Sequence, residues 1–152
     1  MWWSILGFWR VVNCIYCGED WKHQYGVALP VQNEVVGSTI SCTPRSSRLV
    51  SIRIPARPHD ITVIQVYAST ADHKDEEVEQ FYEHLGSIIA RTPEKEILQV
   101  QSDWNAKVGP DAYQPWAGTA GRFGFGDQHD GWWRLLEIDK YHRLTLANTP
   151  HP

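Results

Sequence analysis

The chain has 152 residues, 42% hydrophobic and 21% charged, which sets it as one globular domain long enough to bury a sizeable core. Its net charge of −4 excludes a global basic field, so a polyanionic partner has to be held by a local patch or by metal ions. Eight Trp, four of them in the pairs Trp2-Trp3 and Trp132-Trp133, point to aromatic surface that a partner or a further segment covers.

The amino-terminal run MWWSILGFWR is apolar but too short to span a bilayer, and it has neither the basic start nor the cleavage site of a secretory signal. It reads as a buried strand over 5–8. Three cysteines, an odd count, argue against a disulfide framework and for a reducing, intracellular compartment, with the nucleus open. Cys14 and Cys17 have the spacing of half a zinc site, but only Cys42 and His23 lie near in sequence, and no metal is assigned. Strands are predicted at 26–29 and 49–54. In the second, Val50, Ile52 and Ile54 share one face, while Ser51 and Arg53 share a solvated one. Arg45, Arg48, Arg53 and Arg57, with no acid among residues 45–57, are candidate phosphate contacts, or simply a solvated strand face.

A strand at 61–67 precedes the clearest helix, 75–91. There Val78, Phe81, Tyr82, Leu85, Ile88 and Ile89 form one apolar stripe. Glu76, Glu77 and Glu79 sit where the helix dipole favours carboxylates, not as a metal site. A strand at 96–101 then delivers Asp103 and Asn105, two positions apart, into a Gly-bounded loop. Strand carboxyl ends are where open α/β sheets place their chemistry, although Asp and Asn also make ordinary turns. The Gly- and Pro-rich loop 109–131 has no periodicity and is long enough to be functional. A helix over 132–141, with Leu135, Leu136 and Ile138 inward, and a strand at 144–147 complete the α/β alternation.

Four motifs in this order carry a family resemblance. Asp103-Trp-Asn-Ala-Lys-Val-Gly109 resembles the Gly-Asp-aromatic-Asn motif of the endonuclease/exonuclease/phosphatase superfamily, the DNase I-like fold. Residues 61–70 look like its strand ending in Tyr-Ala-Pro-Thr. Gly131-Trp-Trp-Arg-Leu-Leu-Glu137 and the run 144–149 look like its Gly-x-x-Leu-Leu helix and following strand. Within the superfamily the pattern resembles that of the endonucleases of non-long-terminal-repeat retrotransposons and the host-encoded craniofacial development protein 2-like group. The resemblance spans about residues 25–149. It implies two sheets packed face to face with helices outside, and phosphodiester hydrolysis assisted by Mg²⁺. By position, Asp103 matches the acid that orients or deprotonates water, Asn105 the phosphate-contacting amide and Tyr67 the hydroxyl donor. It also implies nucleic acid as partner, and no membrane.

Departures from the pattern shape the expectation. Arg10 aligns with the family's metal-binding Glu, Ser102 replaces the Gly before the acid, and Ser69 replaces the Pro after Tyr-Ala. Pro152 comes before the family's final Asp-His segment, and His151 does not match that His by position. A unit charge pair about 4 Å apart is worth roughly 4 kcal/mol at an effective dielectric of 20, so exchanging Glu for Arg turns attraction for a divalent ion into repulsion. The expectation is therefore a truncated α/β sandwich that leaves an edge or apolar face exposed. Two function classes stand: a degenerate, retrotransposon-derived phosphodiesterase with little or no Mg²⁺ binding, and a non-catalytic binding module on the same scaffold.

Overall fold

The computed structural model describes residues 2–7, 10–18, 26–68, 75–104, 108–109, 112, 114–124, 132–147 and 149; for 2–7, 10–18 and Asp103 it describes the backbone. It is mixed α/β and divides into two compact units. One contains residues 1–68 and 92–103, the other 69–91 and 104–152.

The first unit holds two sheets. Strands β1 (Trp2–Gly7), β2 (Arg10–Gly18) and β3 (Gly26–Gln32) form an antiparallel meander. After the short helix α1 (Asn33–Val36), strands β4 (Ser41–Ser46), β5 (Leu49–Ile54), β6 (Ile61–Tyr67) and β7 (Ile97–Asp103) form a four-stranded mixed sheet in that order. Pro30 and Pro44 both lie on edge strands, where a missing N–H costs no ladder bond. β3 alternates strictly: Val27, Leu29 and Val31 are buried, and they share one core with Val50 and Ile52 of β5. Cys42, Ile54, Val63 and Tyr67 pack around that cluster, so the two sheets meet across a single apolar layer.

The opposite face of β5 is not the solvated face that its sequence suggests. Leu49 and Ser51 are buried, as are Thr62, Ile64 and Val66 beside them on β6. Arg53 lies on this face because it is ion-paired. Its guanidinium meets Asp60 at 3.1 Å and also Glu96, whose side chain is only 1% exposed and accepts a 2.7 Å hydrogen bond from the Thr62 hydroxyl. Charge pairing and hydrogen bonding are what make a polar cluster tolerable at such depth.

In the second unit, α2 (Asp75–Ala90) buries Phe81, Leu85, Ile88 and Ile89, four residues of its predicted stripe. Helix α3 (Trp132–Tyr141) buries Leu135 and Leu136 and, contrary to its helical pattern, Asp139. α3 ends in paired backbone bonds, Leu144 N–H to Asp139 O at 2.7 Å and Arg143 N–H to Lys140 O at 3.3 Å. Arg143 takes the left-handed conformation (φ 58°) that glycine usually fills at such a cap.

The strand expected at 144–147 does not form. Its backbone instead follows the loop: Leu146 N–H donates to Thr119 O at 2.9 Å, Thr145 Oγ1 to Gly118 O, and Gly121 N–H to Thr149 Oγ1. Leu146 packs with Val108, Ala112, Ala120, Leu136, Trp116 and Trp132 in a second core. The Leu146 side chain is thus covered beside a loop, not in a ladder. The described part of loop 109–131 is folded by turns, and Gly124 lies against the 108–109 backbone. A Cβ there would come within 2.3 Å of Val108 O. Of the second Trp pair, Trp132 is half-buried in an edge-to-face contact with Trp116 and Trp133 is 44% exposed. Among the described residues no helix is long and apolar enough to cross a membrane.

Candidate functional site

β6 and β7 are parallel, so their carboxyl ends emerge together. Their register pairs Tyr67 with Asp103. The pairing follows from β-sheet periodicity: cross-strand partners lie on one face, so the row Tyr67–Asp103 continues the face that carries Val63. On the third side, the Tyr67 N–H donates to Arg48 O at 2.9 Å, which draws the β4–β5 turn against the strand end. Tyr67 is half-buried and packs on the inter-sheet core. Ser102, in place of the family glycine, directs its hydroxyl to Val66 O at 2.8 Å and so belongs to the opposite face. Asn105 lies outside the described residues.

The four arginines do not form one stripe. Arg45 and Arg48 flank the β4–β5 turn at the Tyr67 end, with Arg45 Nε 3.4 Å from Ser51 Oγ. Arg53 sits opposite Thr62 near the start of β6, and Arg57 is exposed in the loop beyond. Arg48 and Arg53 are five positions apart, about 17 Å along an extended strand, too far to grip one phosphate. With Arg53 committed to Asp60 and Glu96, it is Arg45 and Arg48 that lie nearest the strand-end row.

Among the described residues no three His, Cys, Asp or Glu side chains gather as metal ligands. Arg10, aligned with the metal carboxylate, opens β2 opposite Gly7. Cys14 and Cys17 lie in β2, in register with Pro30 and Val27 of β3. Cys42 is a free thiol whose pKa burial raises.

Among the described residues the strongly shifted groups lie on α2 and α3. Burial pushes the Asp139 carboxyl up to about 7. Tyr82 is pushed up to about 12, chiefly by burial and then by the Asp139 charge, while Arg134 opposes. Burial also lowers the His142 pKa. Nothing in the helical pattern of 132–141 singles out Asp139. It looks like one more polar position beside Lys140.

No family model matches the chain. It is similar to craniofacial development protein 2 of Bos taurus, with 40% identity over 134 residues. The same protein of Tragulus javanicus is also 40% identical over 134 residues. Each match covers 88% of this chain and 22% and 23% of those proteins, respectively, so the chain spans about a fifth of the curated relatives it resembles.

Proposed function

We propose that the chain carries an endonuclease/exonuclease/phosphatase-type domain of retrotransposon origin in degenerate form, which holds a phosphodiester and hydrolyses it at trace rate at most. The observation that supports this reading most is the parallel register bringing Tyr67 and Asp103 to one row at the carboxyl end of the sheet. Similarity to craniofacial development protein 2 supports the same superfamily.

In this reading Asp103 accepts the proton of a water whose oxygen attacks phosphorus. Asn105 holds a phosphoryl oxygen, and the Tyr67 hydroxyl donates to the charge that builds on the pentavalent centre. Donors aimed at developing charge supply much of such catalysis. The departing alkoxide takes its proton from solvent. Family members add a Mg²⁺ ion to this charge balance. Among the described residues no three His, Cys, Asp or Glu side chains gather to hold it, and no step above depends on it.

The test is nicking of supercoiled plasmid with Mg²⁺ or Mn²⁺, with Asp103→Ala and a chelator as controls. Trace nicking that Asp103→Ala abolishes is the expected result. Nicking at the rate of an intact homologue overturns the degenerate reading, and nicking indifferent to Asp103→Ala overturns the site. A non-catalytic binding module is the second reading, favoured by Arg10 at the aligned metal position. Oligonucleotide binding without any nicking would select it.

A further inference from the structure

Helices α2 and α3 leave an open groove of about 630 Å³ between them, within the size range of ligand sites. Both walls lie in the second compact unit. On α3, Trp133, Glu137 and Tyr141 recur at four-residue spacing, which stacks them on one side of the helix. Trp133 is 44% and Tyr141 82% exposed, an unusual amount of aromatic surface to leave in water. On α2, Glu79 and Glu83 repeat the same spacing, and like charges placed so repel each other.

The charge of the groove is not cancelled from within. Among the described residues no ion pair engages Glu79, Glu83 or Glu137. The cation on the wall, Arg134, is taken up by Asp75 at 3.3 Å and lies 5.1 Å from the Trp133 ring centroid. His142, held toward its neutral form by burial, adds no compensating charge at neutral pH. Three carboxylates thus stand among exposed aromatic rings, and rings of this kind attract cations through their negative faces. Arg134 over Trp133 is a contact of that class made by the chain itself.

We propose that this groove docks a basic amphipathic peptide segment of a partner protein. Its Lys or Arg side chains meet Glu79, Glu83 and Glu137, and its apolar side chains cover Trp133 and Tyr141. A nucleic acid is disfavoured here by the same carboxylates. The mode is a helix or strand laid in a groove, with charge setting the choice of partner. It is independent of phosphodiester chemistry at Tyr67 and Asp103.

The test uses the full chain and a fluorescein-labelled peptide of Leu and Lys in an i, i+3, i+4 pattern, read by anisotropy against the same peptide with Gln for Lys. The Lys peptide is expected to bind about tenfold or more tightly than the Gln peptide at about 0.05 M salt, and to lose that advantage at about 0.5 M. Trp133→Ala, and the triple change Glu79→Gln, Glu83→Gln and Glu137→Gln, are each expected to weaken binding about tenfold. Equal affinity for both peptides, or indifference to both variants, overturns the proposal. Carbodiimide cross-linking of the unaltered chain to the Lys peptide gives a readout that no variant's folding can confuse. Adducts at Glu79, Glu83 or Glu137 support the groove, and adducts confined to other carboxylates overturn it.

Discussion

Arg53→Met separates a structural arginine from a nucleic-acid contact. Glu96 is almost fully buried and meets the Arg53 guanidinium and the Thr62 hydroxyl. Removing the arginine strands that carboxylate, and breaking a buried pair in this way costs about 3–5 kcal/mol. Arg53 is itself 34% exposed, so water reaches the pair and screening brings the cost to the bottom of that range or below, about 2–3 kcal/mol. The companion pair with Asp60, in which both side chains are about a third exposed, adds less than about 1 kcal/mol. With a urea slope of about 2 kcal/mol per molar for a small domain, the unfolding midpoint drops by about 1–1.5 M. The double change Arg53→Met and Glu96→Leu removes both charges and should recover to within about 1 kcal/mol, the remainder reflecting the stranded Thr62 hydroxyl. The assay is urea unfolding by circular dichroism, with hydrogen exchange of the β5–β7 amides to localise the loss. A change below about 0.5 kcal/mol for Arg53→Met would refute the buried-pair reasoning. If the same variant instead lowered salt-dependent DNA affinity at unchanged stability, Arg53 would be a phosphate contact after all.

Two further expectations concern the second unit. Burial raises the Asp139 carboxyl from 3.8 to about 7, so the folded form holds its proton more tightly than the unfolded chain does. The stability it contributes is full below pH about 3.8 and is lost as pH rises through about 7, roughly 4 kcal/mol in all. Asp139→Asn should flatten that dependence, and an unaltered pH profile in urea unfolding would contradict it. Gly124→Ala places a methyl group within 2.3 Å of Val108 O and 2.7 Å of Gly109 O, both backbone atoms that cannot swing aside. A loss of about 1–3 kcal/mol is expected in thermal unfolding, and a stability equal to the parent would show that the 108–109 and 122–124 segments separate freely.

Elements whose core face follows one period were legible from sequence: β5 and β6 have the predicted bounds, as does α3, and α2 differs by one residue. β4 was hidden by Pro44 and by a Ser-, Thr- and Arg-rich composition suited to an edge strand. β2 was hidden because Val11-Val12 and Ile15-Tyr16 place apolar residues at consecutive positions, which breaks alternation. The false strand at 144–147 arose from two Leu at strand spacing, one of which, Leu146, packs in a core made by a loop and a helix. Arg53 and Asp139 fail for one reason: a polar residue reads as solvated until its burial is known. Arg53 is stabilised by partners distant in sequence, and Asp139 by taking up a proton. Pairing of Tyr67 with Asp103 depends on the register of two parallel strands, 36 positions apart in sequence order, which local pattern alone does not fix.

Under the proposed function Tyr67 has two roles that one residue type hides. Its ring packs on the core of Val27, Leu29, Val31, Val50 and Ile52, which would suffice to explain a strand aromatic at that place. Its hydroxyl is the part the phosphodiester reading needs. The two are separable because Phe keeps the ring and discards only the oxygen. Tyr67→Ala is expected to cost about 2–3 kcal/mol, below a fully buried aromatic truncation because the residue is only half-buried. Tyr67→Phe is expected to stay within about 1 kcal/mol of the parent. A donor to developing oxyanion charge is worth roughly 10²–10³ in rate, so the same Tyr67→Phe should lower trace cleavage of a quenched fluorogenic oligonucleotide by at least about tenfold. Cleavage that tracks stability, falling in Tyr67→Ala but not in Tyr67→Phe, would reduce Tyr67 to a core residue and remove its hydroxyl from the proposed site.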